Sequence, residues 1–359
     1  AYTVCDLTAA VGNALQRALG DRAGEITGRA KVSFPREPEA AAAIVAGEVV
    51  DGGFLWDSTA SQFGLRIHRL PELSAGTSRI SVNVVTRSEQ PTQALLLARF
   101  LAASEHAQVW RDYHFTPAEP SDAWSERPRL TLVSGGLNRE VLAEVLVEFE
   151  RREGCRIDVQ YAGCGTLVAG IKAREETPDL FLTCDRSYLD LVAQRDGEDT
   201  VISGTRVVLL VRLGNPKGIH ALADLGRPDL RIGLSDPDQS ALGSLSWNLL
   251  RQFGVEAAIT RQGTCAVTVP GAQELVAQMQ ASEVLDAVMV YEANVQHLRG
   301  RYEIIPIDHP QATAIQNVAI AQTSLHPNLA RRLIQALQTE GTRKRYRDRG
   351  FSIDSGRAP

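Results

Sequence analysis

Metal-binding patterns are missing from this chain. Its five cysteines, Cys5, Cys155, Cys164, Cys184 and Cys265, are odd in number and show no CxxC spacing, so they form no zinc framework. The seven histidines stand singly, with no HExxH or paired spacing, which excludes a resident metal cage and predicts mostly surface positions. No run approaches the roughly 20 consecutive apolar residues that span a bilayer. No charged-then-apolar export signal heads the chain, yet Ala1-Tyr2-Thr3-Val4-Cys5 already reads as a strand, so the natural start is expected further upstream. Basic charge is also short. The 38 Lys and Arg against 43 Asp and Glu leave a net charge of -5 and no footprint for a nucleic acid. Catalytic signatures are absent too: there is no Ser/His/Asp elbow, no Walker loop and no motif of paired carboxylates, so an enzyme is not expected. Asp185 and Asp236 follow strands, where an aspartate more often caps a turn.

What is present is a repeat. Residues 5–115 find a counterpart at about 235–351. Ala46, Glu48, Val49 and Asp51 recur as Ala281, Glu283, Val284 and Asp286, and Gly53-Phe54-Leu55-Trp56 recurs as Val288-Met289-Val290-Tyr291. Trp110-Arg111-Asp112 and Phe115 match Tyr346-Arg347-Asp348 and Phe351. The segment between the copies, about 127–234, has no partner upstream. A period this long means duplication of a domain and not a solenoid, and the first copy has lost its opening half. A length of 359 residues with 44% hydrophobic content fits roughly two domains with ample cores. We expect a partial unit at 1–115, a linker at 116–128 broken by Pro117, Pro120 and Pro128, and a complete unit at 129–355. The chain should cross between lobes near Gly204 and return near Ala312. That gives a first lobe of 129–204 with 312–355 and a second of 205–311.

The complete unit alternates strands with helices. Leu130-Thr131-Leu132-Val133 leads through Ser134-Gly135-Gly136 into a helix with Asn138 as N-cap, Val141, Leu142, Val145, Leu146 and Phe149 on one face, and Gly154 as its stop. Strands follow at 157–161, 179–183, 207–211 and 232–234. The pattern argues for an α/β fold with mainly parallel sheets covered on both faces. Ligands in such folds sit beyond the carboxyl ends of strands. Four Gly-bearing turns occupy that position: Gly135-Gly136-Leu137, Gly163-Cys164-Gly165-Thr166, Ser240-Ala241-Leu242-Gly243 and Val269-Pro270-Gly271. Each opens a helix whose unpaired N–H groups and positive dipole end favour an anion.

These turns also carry a resemblance. Leu132-Val133-Ser134-Gly135-Gly136-Leu137, Tyr161-Ala162-Gly163-Cys164-Gly165-Thr166-Leu167, Pro178-Asp179-Leu180-Phe181-Leu182-Thr183-Cys184-Asp185, Leu234-Ser235-Asp236-Pro237 and Asp286-Ala287-Val288-Met289-Val290-Tyr291 resemble the molybdate-binding components of ABC importers. Those are type 2 periplasmic solute-binding proteins, and the likeness spans about 129–352. It implies two hinged lobes, a tetrahedral oxyanion such as molybdate or tungstate in the cleft, a membrane ABC permease as partner, no cofactor, and a periplasmic or extracellular location. It places ligand contacts at Gly135, Gly136, Cys164, Gly165, Leu242, Val269 and Tyr291. Two departures stand out. The family's first serine falls at Gly136, and its second falls at Cys164, whose thiol is a weaker donor. Tyr291 reads equally as an oxyanion donor or as a core residue with a satisfied hydroxyl.

Cys164 opens an alternative. A thiol at a helix N-terminus tends towards thiolate, which would repel a dianion and suit a soft metal or another small solute, with Cys184 beside it. A small packing residue and a Cys164–Cys184 disulfide are further readings. The ligand-sensing domain of a regulator is also compatible, although no DNA-binding helix pair or basic face is present.

Overall fold

Apolar runs and amphipathic stretches fold into two units in the computed structural model, which describes residues 1–173, 178–192, 195–281 and 283–353. One unit is Ala1–Glu119 and the other starts at Pro120. Residues 354–355 of the expected complete unit lie outside the described residues.

The first unit runs β1 (Tyr2–Cys5), α1 (Ala10–Leu19), α2 (Arg22–Arg29), β2 (Val32–Phe34), α3 (Glu37–Ala46), β3 (Gly52–Gly53), α4 (Asp57–Gln62), α5 (Pro91–Ala102) and α6 (Ala107–Asp112). Its sheet has the order β2-β1-β3, parallel throughout. Val4, Cys5, Val11, Leu15 and Ala40 are buried around it. Beyond α4 the packing thins. No residue of α5 is buried, although the helix carries Leu95, Leu96, Leu97 and Phe100. The run 77–85 forms no strand and leaves Ile80 and Val85 69% and 70% exposed.

The second unit comprises β4 (Arg129–Gly135), α7 (Arg139–Glu153), β5 (Arg156–Ala162), α8 (Cys164–Ala173), β6 (Leu180–Leu182), β7 (Arg195–Arg212), β8 (Ile232–Ser235), α9 (Ala241–Gln252) and α10 (Glu256–Gln262). It continues through β9 (Cys265–Val269), α11 (Ala272–Ala281), β10 (Ala287–Tyr291), α12 (Glu292–Val295), β11 (Tyr302–Pro306), β12 (Thr313–Ala321), α13 (Pro327–Leu337) and α14 (Glu340–Asp348). The strand order is β5-β4-β6-β12-β7-β10-β8-β9, with β11 also on β7. Strand β7 serves both lobes. Its first part pairs with β12 as far as Arg206 opposite Thr313, and from Val207 opposite Tyr291 it pairs with β10.

The sheets are more mixed than the sequence suggested. Strands β4, β5 and β6 are parallel, as are β8, β9 and β10, but β7 runs antiparallel to β10, β11 and β12, and β12 antiparallel to β6. The first half of β7 and the strands β11 and β12 escaped notice because Arg195–Arg206 is polar and β11 and β12 lack the continuous aliphatic run that marks a strand buried on both faces. Within 116–128, Asp122 bonds to the second unit. Both Asp122 carboxylate oxygens accept from the first N–H groups of α13, Asn328 at 2.7 Å and Leu329 at 3.1 Å, so this residue caps that helix from outside it.

Two cores hold the second unit. One lies between β4, β6, α7, α13 and α14, through Leu130, Leu142, Phe149, Leu182, Leu333 and Tyr346. On α13, Leu329, Ala330, Leu333, Ile334 and Leu337 form the buried stripe, at the spacing of one helix face. The other core runs from Cys164, Leu167 and Phe181 of the first lobe into Leu209, Leu234, Leu249 and Met289 of the second. Each such leucine contributes about 1.5–3 kcal/mol of burial.

Candidate functional site

The strand ends of both lobes open on a cleft of about 110 Å³, partly enclosed, within the second unit. From the first lobe, Gly136, Leu137, Arg139, Tyr161, Gly163, Cys164 and Cys184 line it. The second lobe supplies Ser240, Ala241 and Leu242 from the start of α9, Pro270 to Glu274 from the start of α11, and Tyr291 and Asn294 from the end of β10 and α12. Of the residues expected from sequence, Gly136, Cys164, Leu242 and Tyr291 therefore come together. Gly135, Gly165 and Val269 do not line the cleft.

Each of those three has a packing duty instead. A Cβ on Gly135 would stand 1.9 Å from Cys184 Sγ, so the missing side chain makes room for sulfur. Val269 is a strand residue of β9 whose carbonyl accepts from Asp236 N–H at 2.8 Å. Gly165 and its neighbour Gly163 face the opposite lobe. Cβ atoms there would lie 2.0 Å from Asp238 O and 2.2 Å from Gln239 O, both backbone atoms beyond β8. The Gly165 N–H donates to Gln239 O at 3.1 Å and Thr166 N–H reaches the same oxygen at 3.4 Å. The start of α8 thus spends two of its unpaired N–H groups on joining the lobes. Asp236 shapes the partner loop, its carboxylate accepting from Asp238 N–H at 2.8 Å and Gln239 N–H at 3.2 Å. Those bonds hold Asp236 below its ordinary carboxylate value. Asp185 likewise caps a turn, accepting from Ser187 N–H at 3.0 Å.

Donors remain for an anion. By helix geometry the first-turn N–H groups have no carbonyl within their own helix, which leaves Cys164 on α8, Ala241 and Leu242 on α9, and Ala272 to Glu274 on α11. On α9 the Gly243 N–H is already taken by Ser240 Oγ at 2.9 Å, while the Ser240 hydroxyl keeps its own proton to give. The strongest sign of a polar guest is Tyr291. Its side chain is 2% exposed, lines the cleft, and its hydroxyl has no hydrogen-bond partner. Asn294 Oδ1 shares that condition. A buried hydroxyl left unmatched costs about 1–3 kcal/mol, so it is retained where something polar completes it.

Tyr291, Cys184 and Tyr188, at and beside the cleft floor, are held neutral. Burial, then the neighbouring Cys184, Cys164 and Asp185, pushes Tyr291 well above the ordinary value of 10.0. Hydrogen bonding with the Cys164 thiol, then burial, raises Cys184 well above 9.0, against a smaller opposing effect of the Leu137 N–H on its sulfur. Burial raises Tyr188 from 10.0 to about 12. Cys5 in the first unit rises from 9.0 to about 11, through burial and then Glu37 and Asp6. A raised folded-state value favours folding fully below the unfolded value and ceases to do so as pH climbs to the folded one. The melting temperature should therefore fall progressively above pH 9. A flat profile from pH 9 to 11 would contradict this burial.

Sequence reasoning missed Arg139, Gln273, Glu274 and Asn294, and it named Ser240 only as part of a turn. Arg139 brings a cation to the cleft, stacked 4.7 Å over the Tyr161 ring, and Glu274 brings an exposed carboxylate to its rim. Gln273 Nε2 donates across the lobes to Gly136 O at 3.4 Å. A lone polar residue one helical turn from a Gly-rich loop carries no signal that separates it from any solvated helix start.

Comparison with known proteins fits this geometry. A family model described as bacterial extracellular solute-binding protein matches residues 4–116 and again 130–352. The molybdate-binding protein ModA of Mycobacterium tuberculosis is 24% identical over 209 residues, covering 55% of this chain and 74% of that protein. Among solved structures, the periplasmic molybdate-binding protein of Azotobacter vinelandii superposes with a TM-score of 0.52 at 15% identity, over 62% of this chain and 99% of that one. The sulfate-binding protein SubI of Mycobacterium tuberculosis gives 0.52 at 20% identity, over 64% and 88%.

Proposed function

The chain belongs to the bacterial extracellular solute-binding proteins, and on that premise we propose that its second unit binds a tetrahedral oxyanion of the molybdate, tungstate or sulfate type and delivers it to an ABC permease. The observation that carries the reading is the unpartnered Tyr291 hydroxyl, buried where the helix starts of both lobes converge. Gly136, Cys164, Leu242 and Tyr291 are the proposed contacts, with Ser240 and Ala272 beside them. Hydrogen bonds to a charged group contribute about 1.5–3 kcal/mol each and helix ends roughly 0.3–2, so four or five such hydrogen bonds supply about 6–15 kcal/mol, a range that spans the roughly 8 kcal/mol net of a micromolar site before the cost of ordering. The protonated Cys184 thiol and Tyr291 phenol suit a dianion, since neither adds negative charge. A periplasmic or extracellular site of action follows from the same role. Calorimetric titration of molybdate, tungstate and sulfate against the whole chain tests this, and a chain that takes up none of the three refutes it.

On this reading the first unit is a partial copy, corresponding to a second lobe with its returning helices. Three things support that. Strand order β2-β1-β3 parallels β9-β8-β10. Gly12 and Gly243, each third in its helix, both stand where a Cβ would lie 2.2 Å from the carbonyl of the preceding aspartate, Asp6 or Asp236. The edge-to-face pair Trp110–Phe115 at 5.6 Å answers Tyr346–Phe351 at 5.0 Å. The partial copy lacks the first-lobe turns and carries Trp56 in place of Tyr291, so a fragment of residues 1–115 should bind no oxyanion in the same titration. Binding by that fragment at the affinity of the whole chain would overturn the assignment.

A further inference from the structure

Two thiols meet at the floor of the cleft. Cys164 opens α8 and Cys184 follows β6, so both belong to the first lobe and their proximity does not depend on how the second lobe sits. Cys184 N–H donates to Cys164 Sγ at 3.2 Å, which holds the two residues together. Both sulfurs crowd the space left by the absent side chain of Gly135, at 1.9 and 3.3 Å from where its Cβ would be. Both line the cleft and neither is bonded to another cysteine. Packing alone does not require two sulfurs in one place, facing a polar cleft, with a glycine making room for them.

We propose that Cys164 and Cys184 form a dithiol site for a thiophilic trivalent oxyacid, with arsenous acid as its simplest member. The inference rests on the cleft being the ligand site of a binding protein and assigns it a guest of different chemistry from the tetrahedral anions. The chemistry is a condensation: two As–S bonds form, two As–O bonds break, and each departing hydroxide takes one thiol proton to leave as water. Arsenic stays trivalent, no oxidant or reductant enters, and the third hydroxyl remains on arsenic, able to meet the Tyr291 hydroxyl. The surroundings favour this guest over a soft divalent cation. A cation held by two thiolates must expel two protons, one of them from Cys184, which the neighbouring Cys164 side chain and burial keep protonated, with Tyr291 and Asp185 nearby. An acid that carries its own hydroxides leaves the charge of the pocket unchanged.

The test uses the reduced full-length chain with arsenite. Native mass spectrometry should show one arsenic bound per chain with two waters lost, and arsenic X-ray absorption should show two sulfur neighbours and one oxygen. Uptake should vanish in Cys164→Ser and in Cys184→Ser, and persist in Cys5→Ser, Cys155→Ser and Cys265→Ser. No uptake by the wild-type chain, an arsenic shell with fewer than two sulfurs, or uptake surviving Cys184→Ser would each overturn the proposal. The absorption measurement needs no variant, so a serine variant that fails to fold cannot shelter the idea. Failure of the tetrahedral anions to bind, with arsenite still held by this pair, would remove the oxyanion assignment above and leave the dithiol site standing.

Discussion

Gly165→Ala should weaken anion binding by roughly 5–150-fold, because a backbone clash of this kind costs about 1–3 kcal/mol and bears only on the closed arrangement. The added methyl would stand 2.0 Å from Asp238 O, a main-chain atom with no rotamer to yield. In an arrangement with the lobes apart the same methyl would meet solvent, so the cost should fall on closure and not on the fold of either lobe. Amide exchange should separate these effects. Protection should drop in residues 163–166 and 238–243, where Gly165 and Thr166 N–H meet Gln239 O, while β4 and β8 keep theirs. An alanine variant that binds as tightly as the wild type would show that this contact does not accompany binding.

Tyr291→Phe should move affinity and stability in opposite directions. Loss of a hydrogen bond to a charged ligand costs about 1.5–3 kcal/mol, or roughly 10–150-fold in Kd. The unliganded protein should gain about 1 kcal/mol, since the hydroxyl is buried without a partner and phenylalanine removes only that burden. For a unit of this size the gain is a rise of about 2–4 °C in melting temperature. A tyrosine that merely fills the core would give a stability change with no change in affinity. A drop in both quantities would mean that the hydroxyl is satisfied within the protein.

Much of this architecture was legible in the sequence, and the unread parts share a physical cause. Strands buried on both faces announce themselves through unbroken aliphatic runs, as at 207–211 and 287–291, and helices such as α7 through a single apolar face bounded by Gly154. Strand β12 and the first half of β7 are each other's partners, and their polar residues find hydrogen bonds only in the folded unit. Ser203 Oγ, for example, donates to Gln316 Oε1 at 3.0 Å with both residues fully buried. The glycines show a different limit. A glycine that admits a ligand and one that admits another stretch of backbone look alike in a sequence, and Gly163 and Gly165 proved to be the second kind. Cys184 was legible as a possible neighbour of Cys164, whereas the clearance provided by Gly135 depends on the path of two strands and could be seen only in three dimensions.

The loose half of the first unit matters for how the molecule behaves at high concentration. A stretch outside any strand, with Ile80, Val82 and Val85 uncovered, offers apolar side chains and unpaired backbone to which like stretches can add. Arg79 and Arg87 flank it as gatekeepers, and their repulsion weakens as salt screens them. Precipitation at high salt should then begin in the unit assigned no ligand, while the binding cleft is still intact.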